Sequence, residues 1–186
     1  FDRAYCQLAV CNPSRVSLLT GLRPDSAKVW TLDVRFRDTV PDVVTLPQHF
    51  KQNGYYAASF GKIFHNPWPA INRLRAVATE IVDIPDHEHI DGAIAQQSLK
   101  AMRRLAKGDQ PFFLATGFVR PHLPFVVPRK YWELYDREAI PLAEDPSIPK
   151  GSPDFAMNTM YELRDYMDFL GTDDPRKGPL TKAQQK

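Results

Sequence analysis

Apolar positions along the chain fall into short unbroken runs and into stripes at helical spacing, and their order predicts an α/β arrangement. The clearest stripe is Ile94, Leu99, Met102 and Leu105, which predicts a helix over 91–107 ended by Gly108, with Lys100, Arg103, Arg104 and Lys107 loading its later turns. Residues 110–118 (QPFFLATGF) follow as a nearly continuous apolar run, the pattern of a strand in a parallel sheet covered on both faces. A similar pair lies earlier. Thr45 as cap, Pro47 in the first turn, Leu46 and Phe50 four apart and Gly54 as stop predict a short helix over 45–54, ahead of a strand over 55–60 (YYAASF). Helix, short turn and buried strand in succession are the βαβ rhythm. The expected fold class is α/β, with a mixed, mostly parallel central sheet and helices on both faces.

Weaker patterns fill the rest. Residues 4–11 are mostly apolar and predict a strand or strand end feeding a helix over 16–22. Residues 77–85 alternate enough for an edge strand. A short helix over 131–135, a surface excursion over 141–153, a helix over 161–170 and a turn at 173–175 follow, none with assigned chemistry.

Composition narrows the class. The 186 residues are 43% hydrophobic and 25% charged, enough to bury a real core. A net charge of +2, without runs of like charge, offers no footprint for nucleic acid or for an anionic membrane, so neither partner is expected. No apolar segment approaches the roughly 18 residues that span a bilayer. Two cysteines, Cys6 and Cys11, are too few for a disulfide framework. Seventeen prolines, concentrated in 121–153, favour stiff loops packed around a site over a helical bundle. Phe1 is an unusual first residue, and 180–186 reads as polar helix, so the chain is expected to be a portion of a longer one.

Candidate chemistry centres on residues 11–24, CNPSRVSLLTGLRP. Pro13 suits a first helical position, which sets Cys11 at the positive end of a helix dipole. Ser14 and Ser17 fall among the N-terminal amides. An anion there meets amides without partners and the guanidinium of Arg15, which binds oxyanions in bidentate fashion. The plainer alternative for Cys11 is a buried thiol at a strand-to-helix junction. Gly61-Lys62-Ile63-Phe64-His65 follows a strand, and groups just beyond the carboxyl ends of strands line the ligand crevice of open α/β sheets. Taken alone, Lys62 reads as a solvated lysine and His65 as a loop histidine. In Arg120-Pro121-His122-Leu123-Pro124 the prolines restrict the backbone on both sides of His122. Residues 30–41 mix aromatic and charged side chains, either as a substrate-contacting loop or as a solvated connection anchored by Trp30. His49 is expected at the surface. Asp86-His87-Glu88-His89 is expected to be an exposed turn ahead of a helix rather than a metal cluster.

The run 11–24 resembles the signature of type I sulfatases, in which a Cys-x-Pro-Ser-Arg cysteine becomes formylglycine. Gly61–His65 resembles the second sulfatase signature, and Pro121–Pro124 the Pro-His-x-Pro segment of the iduronate-2-sulfatase-like branch. The resemblance runs from Phe1 to about Asp154. It implies an alkaline-phosphatase-like core and hydrolysis of sulfate monoesters, with a sulfated carbohydrate as substrate. It further implies Cys11, as formylglycine, for nucleophile and metal ligand. Arg15 and Lys62 would stabilise oxygens, His65 would assist deprotonation of the hydrate, and His122 would hold sulfate or protonate the leaving alcohol. Relatives also bind a divalent cation, usually Ca2+, through aspartates before this region and an Asp-His or Asp-Asn pair after it. Residues 1–186 therefore read as part of an N-terminal catalytic domain that needs the remainder of the sulfatase chain and is inactive alone. Relatives carry a longer insertion near 70–76. A formylglycine-generating enzyme is the implied processing partner, and a secreted, periplasmic or lysosomal location the implied setting. A phosphate or phosphonate ester hydrolase of the same superfamily, or a sulfated-glycan-binding fragment with Cys11 unconverted, are the alternatives.

Overall fold

In the computed structural model, residues 3–65, 76–178 and 180–185 are described. Their helices and strands run α1 (Cys11–Thr20), α2 (Pro24–Ala27), α3 (Phe36–Thr39), α4 (Leu46–Gln52), β1 (Tyr56–Gly61), β2 (Thr79–Val82), α5 (Ile90–Leu105), β3 (Phe112–Gly117), β4 (Phe125–Pro128), α6 (Arg129–Trp132), α7 (Tyr161–Arg164) and α8 (Lys182–Gln185). Single 3-10 turns occupy Asp154–Ala156 and Met167–Phe169. The expected turn-rich connection at 66–75 lies outside the described residues. The chain divides into two units: residues up to His65 with Ile90–Val119, and residues 76–89 with those from Arg120 on.

In the first unit β1 and β3 pair in parallel, from Tyr56 opposite Phe112 to Gly61 opposite Gly117. Side chains alternate across a strand, so Phe113 and Thr116 leave β3 on opposite faces. Phe113 stacks on Phe50 of α4 at 4.5 Å between ring centroids. Thr116 donates through its hydroxyl to Ser98 of α5 at 3.0 Å. The ladder therefore carries a helix on each face, as the sequence pattern implies. α5 also ties to the end of β3 through Asp91, whose carboxylate accepts the Val119 N–H at 2.7 Å.

Two expectations are corrected here. Residues 4–11 form no strand; 3–10 are irregular and mostly exposed, and no described strand runs beside them to complete a ladder. The apolar stripe of α5 is only partly inward, because Leu99 and Met102 are 47% and 45% exposed. Its buried positions are instead the small residues Ser98 and Ala101, which let the helix approach the ladder closely. A tight cluster of Val16, Ala27 and Val29, with Leu22, Val34 and Phe36 packed on it, fastens α1 to the following 22–36 segment.

In the second unit β2 and β4 form another parallel pair, Thr79 opposite Phe125 through Val82 opposite Pro128. The parallel α/β character is present, with its strands in two two-stranded ladders rather than one described sheet. Tyr166, 1% exposed, is the anchor here. Next to it the Met167 N–H donates to the Ala76 carbonyl, and the Asp168 carboxylate accepts the Ala78 N–H at 2.8 Å. Asp86 accepts from Lys130 at 2.7 Å and Tyr131 at 3.0 Å, and His89 lies 3.1 Å from the Val126 carbonyl. The 86–89 turn is thus held by its neighbours in the fold.

Candidate active site

Cys11 opens α1. The first α-helical bond runs from the Ser14 N–H to the Val10 carbonyl, so the helix starts two residues earlier than Pro13 suggests. Pro13 occupies the third position, where its missing N–H forfeits no intrahelical bond. The amides left without helical partners are those of Cys11 and Asn12, not those around Ser14 and Ser17. Gly21, at φ +74°, closes the helix in the left-handed conformation, one residue before Leu22.

One turn after Cys11, Arg15 lies on the same face of α1. Its Nη1 donates to the Lys62 carbonyl at 2.5 Å and the Ile63 carbonyl at 3.0 Å. Both acceptors belong to the turn that leaves β1. The Lys62 N–H continues the ladder by donating to the Gly117 carbonyl at 2.8 Å. Lys62 itself is 5% exposed, which removes the reading of a solvated lysine. Three residues on, Nδ1 of His65 stands 3.2 Å from the sulfur of Cys11. A neutral imidazole with Nδ1 unprotonated can accept the thiol proton at that separation.

Four expected residues, Cys11, Arg15, Lys62 and His65, therefore meet where the start of α1 abuts the end of β1. The helix start is positive and its first turn holds no acidic residue, with the Arg15 guanidinium one turn on and the buried Lys62 on the turn that leaves β1. Such a junction suits a tetrahedral oxyanion.

His122 belongs to the second unit, between β3 and β4. Its Nδ1 lies 2.8 Å from the Leu123 carbonyl and its Nε2 3.9 Å from the Glu162 carboxylate. Arg120 donates to the His122 carbonyl at 2.7 Å, and the Arg120–Pro121 and Leu123–Pro124 peptide bonds are both cis. His49 is exposed on α4, as expected.

Asn12 was not singled out by sequence pattern. It is 6% exposed, and its side-chain amide donates to the carbonyls of Thr31 and Val34 at 2.8 and 2.9 Å, with Leu32 at 3.4 Å. Its signal in the sequence is only a carboxamide placed beside the thiol in a first helical turn. Gly61, which heads the second signature, and Gly117 carry a packing constraint that their strings do not signal. A Cβ on Gly61 would strike the Gly117 carbonyl, and one on Gly117 would strike the Lys62 carbonyl.

A divalent cation needs several oxygen ligands, six or more for calcium. Among the described residues no group of three His, Cys, Asp or Glu side chains is placed to hold a metal ion. These residues do not fit a complete cation site.

Comparison with known proteins bears on the family. The sulfatase family model matches residues 1–174. Human iduronate 2-sulfatase is 32% identical over 202 residues, covering 90% of this chain and 37% of the relative. A sulfatase of Formosa agariphila is 30% identical, covering 75% and 35%. A choline-sulfatase of Rhizobium meliloti is 21% identical, covering 94% and 41%. The chain thus spans well under half the length of these relatives. With the family model covering nearly all of it, and the thiol, arginine, lysine and histidine of the two signatures meeting at one helix–strand junction, the chain belongs to the sulfatase family.

Proposed function

We propose that this chain supplies part of the N-terminal catalytic domain of an enzyme hydrolysing sulfate monoesters on a sulfated carbohydrate. The observation that carries the reading is the 3.2 Å approach of His65 to Cys11 at the start of α1, in a chain of this family. Cys11, oxidised to formylglycine, supplies as its hydrate one hydroxyl that attacks sulfur while the alcohol departs and a second whose deprotonation re-forms the aldehyde and expels sulfate.

The side chains of this chain serve that chemistry in distinct ways. Arg15 uses one guanidinium nitrogen to hold the strand end and directs its others to oxyanion oxygens. Lys62, buried, adds a positive charge in surroundings that screen it weakly. Fixed cationic groups of this kind stabilise negative charge developing on transferred oxygens. His65 takes the proton of the formylglycine hydrate, as its distance from Cys11 allows. His122 holds sulfate or protonates the leaving alcohol.

The family implies a divalent cation, calcium by resemblance, whose oxygen ligands this chain supplies only in part, through the residue at position 11. The rest of the sulfatase chain is the expected source of the others, and a formylglycine-generating enzyme the processing partner. No described helix is long and apolar enough to cross a membrane. A secreted, periplasmic or lysosomal setting is proposed from the resemblance.

Peptide mass spectrometry across residues 4–15 of the full-length protein tests the nucleophile. Conversion of the thiol to an aldehyde lowers the mass by about 18 Da, and hydration restores it. Turnover of sulfate but not phosphate esters by the converted protein is the expected companion result. An unmodified Cys11 in an active preparation overturns the assignment.

A further inference from the structure

The segment 31–36 is fastened at both ends to residues adjoining the Cys11–His65 pair. At its start the buried amide of Asn12, next to Cys11, reaches the carbonyls of Thr31, Leu32 and Val34. An amide nitrogen carries two hydrogens, so the two short bonds use both and the 3.4 Å contact shares one of them. At its end Phe36 stacks on Phe64, next to His65, with centroids 5.4 Å apart and planes 6° from parallel. The Arg37 guanidinium lies over the Phe36 ring at 4.7 Å. Just upstream, the Trp30 indole donates to Asp25 at 3.0 Å. Between the anchors, Leu32, Asp33 and Arg35 are exposed.

We infer that Asn12 is a positioning residue that sets segment 31–36 as the recognition wall beside the reacting group, with Leu32, Asp33 and Arg35 presented to the carbohydrate around the sulfate. An apolar group and two opposite charges suit a ring bearing hydroxyls and a second acidic substituent, either a carboxylate or another sulfate. The inference rests on the sulfatase reading and adds the part of this chain that discriminates among sulfated sugars. The physical reason is economy of attachment. Backbone carbonyls of an irregular segment need donors, and one side chain provides them from the turn that carries Cys11, so loop placement and nucleophile placement share one hinge point.

The test is Asn12→Asp in the full-length protein. The substitution keeps shape but removes both donors and sets a carboxylate against three carbonyl oxygens. Hydrogen exchange of the 31–36 amides is expected to quicken while that of β1 and β3 is unchanged. With a sulfated, uronate-bearing oligosaccharide as substrate and Cys11 conversion verified by mass, KM is expected to rise about tenfold, equivalent to about 1.4 kcal/mol, with kcat within about threefold. Phe36→Leu loosens the other anchor and is expected to give the same split at smaller magnitude, which keeps the test decisive if Asn12→Asp fails to fold. Unchanged exchange, an unchanged KM, or a loss confined to kcat that follows the folded fraction overturns the inference. A wild-type protein inert towards every sulfate ester instead overturns the reading beneath it, whereas an active wild type whose KM ignores the anchor variants overturns the positioning role alone.

Discussion

Arg15 of α1 donates through Nη1 to the backbone carbonyl of Lys62, so the helix that begins with Cys11 is bound to the turn that delivers Lys62 and His65. A side chain expected to contact the oxyanion thus also builds the junction where the oxyanion would sit. The two duties use different nitrogens, which a planar guanidinium permits and an ammonium does not.

Arg15→Lys is therefore expected to lower stability as well as turnover. Losing charge-assisted bonds to two carbonyls costs about 1–3 kcal/mol. The check is the urea midpoint of the full-length protein alongside kcat. A variant with wild-type stability and reduced kcat would confine Arg15 to the substrate; one with full kcat would confine it to the scaffold.

What could be read from sequence follows from how local each signal is. The helix at 46–52 is spelled out within ten residues, because Thr45 and Gly54 mark its ends: Gly54 takes φ +84°, and the structure adds Gln48, which accepts the Thr45 N–H at 2.9 Å. The 112–117 strand is legible because both faces of it are covered, which leaves no polar alternation. Residues 4–11 misled for the converse reason. An apolar run does not reveal whether a neighbouring strand exists to pair with it. The stripe of α5 misled because periodicity marks a face without saying how close the sheet comes, and Ser98 and Ala101 take the close contact.

The site shows the same division. Cys11, Arg15, Lys62 and His65 are legible as two short strings, but their meeting depends on a contact across 54 positions, which no local pattern encodes. Asn12 was invisible for a related reason. Its three acceptors are main-chain carbonyls, and carbonyls have no sequence signature.

The register of β1 on β3 sets Gly61 opposite Gly117, and both backbones come too close for a side chain. Gly61 also has φ +71°, where an L side chain is strained. Gly61→Ala combines that strain with a clash against the Gly117 carbonyl and Ile94, and is expected to cost about 3 kcal/mol. Gly117→Ala carries a clash with the Lys62 carbonyl and a tight contact with the Ile63 side chain, without the positive φ, and is expected to cost about 2 kcal/mol. Chemical denaturation of both variants checks the order; equal or negligible losses would show that the strand ends can separate without harm.

In the second unit, Arg176 beside Asp174 holds that carboxyl at about 2, below its ordinary 3.8, with the side-chain hydrogen bonds to Arg176 as the largest cause and the Arg176 N–H as the next. A depressed folded-state value means the contribution is present above the unfolded value and disappears as pH falls through the folded one. The Asp174–Arg176 contact is thus expected to leave stability flat near neutrality and to weaken it only between about pH 4 and pH 2. Carboxyl chemical shifts in an acid titration measure the midpoint directly, and Arg176→Ala should raise it towards the ordinary carboxylate range, leaving the smaller lowering that comes from the backbone N–H of residue 176. An Asp174 midpoint that ignores the substitution would remove the pairing as its cause.

His65 offers the sharpest test of the proposed chemistry, because its Nδ1 stands 3.2 Å from the side chain at position 11. If it serves as the base for the formylglycine hydrate, removing it slows proton transfer without removing the binding cations Arg15 and Lys62. His65→Ala is then expected to reduce kcat by about 10²–10⁴ while substrate affinity changes far less. Cys11→Ala, which deletes the nucleophile, is expected to abolish turnover, and combining it with His65→Ala should bring no further loss, since the two act as a unit. Steady-state kinetics on the full-length protein, with conversion at position 11 measured in the same samples, decides the matter. A His65→Ala enzyme that is fully converted and keeps wild-type kcat would assign the proton step to another group and leave the 3.2 Å contact a packing feature of the unconverted chain.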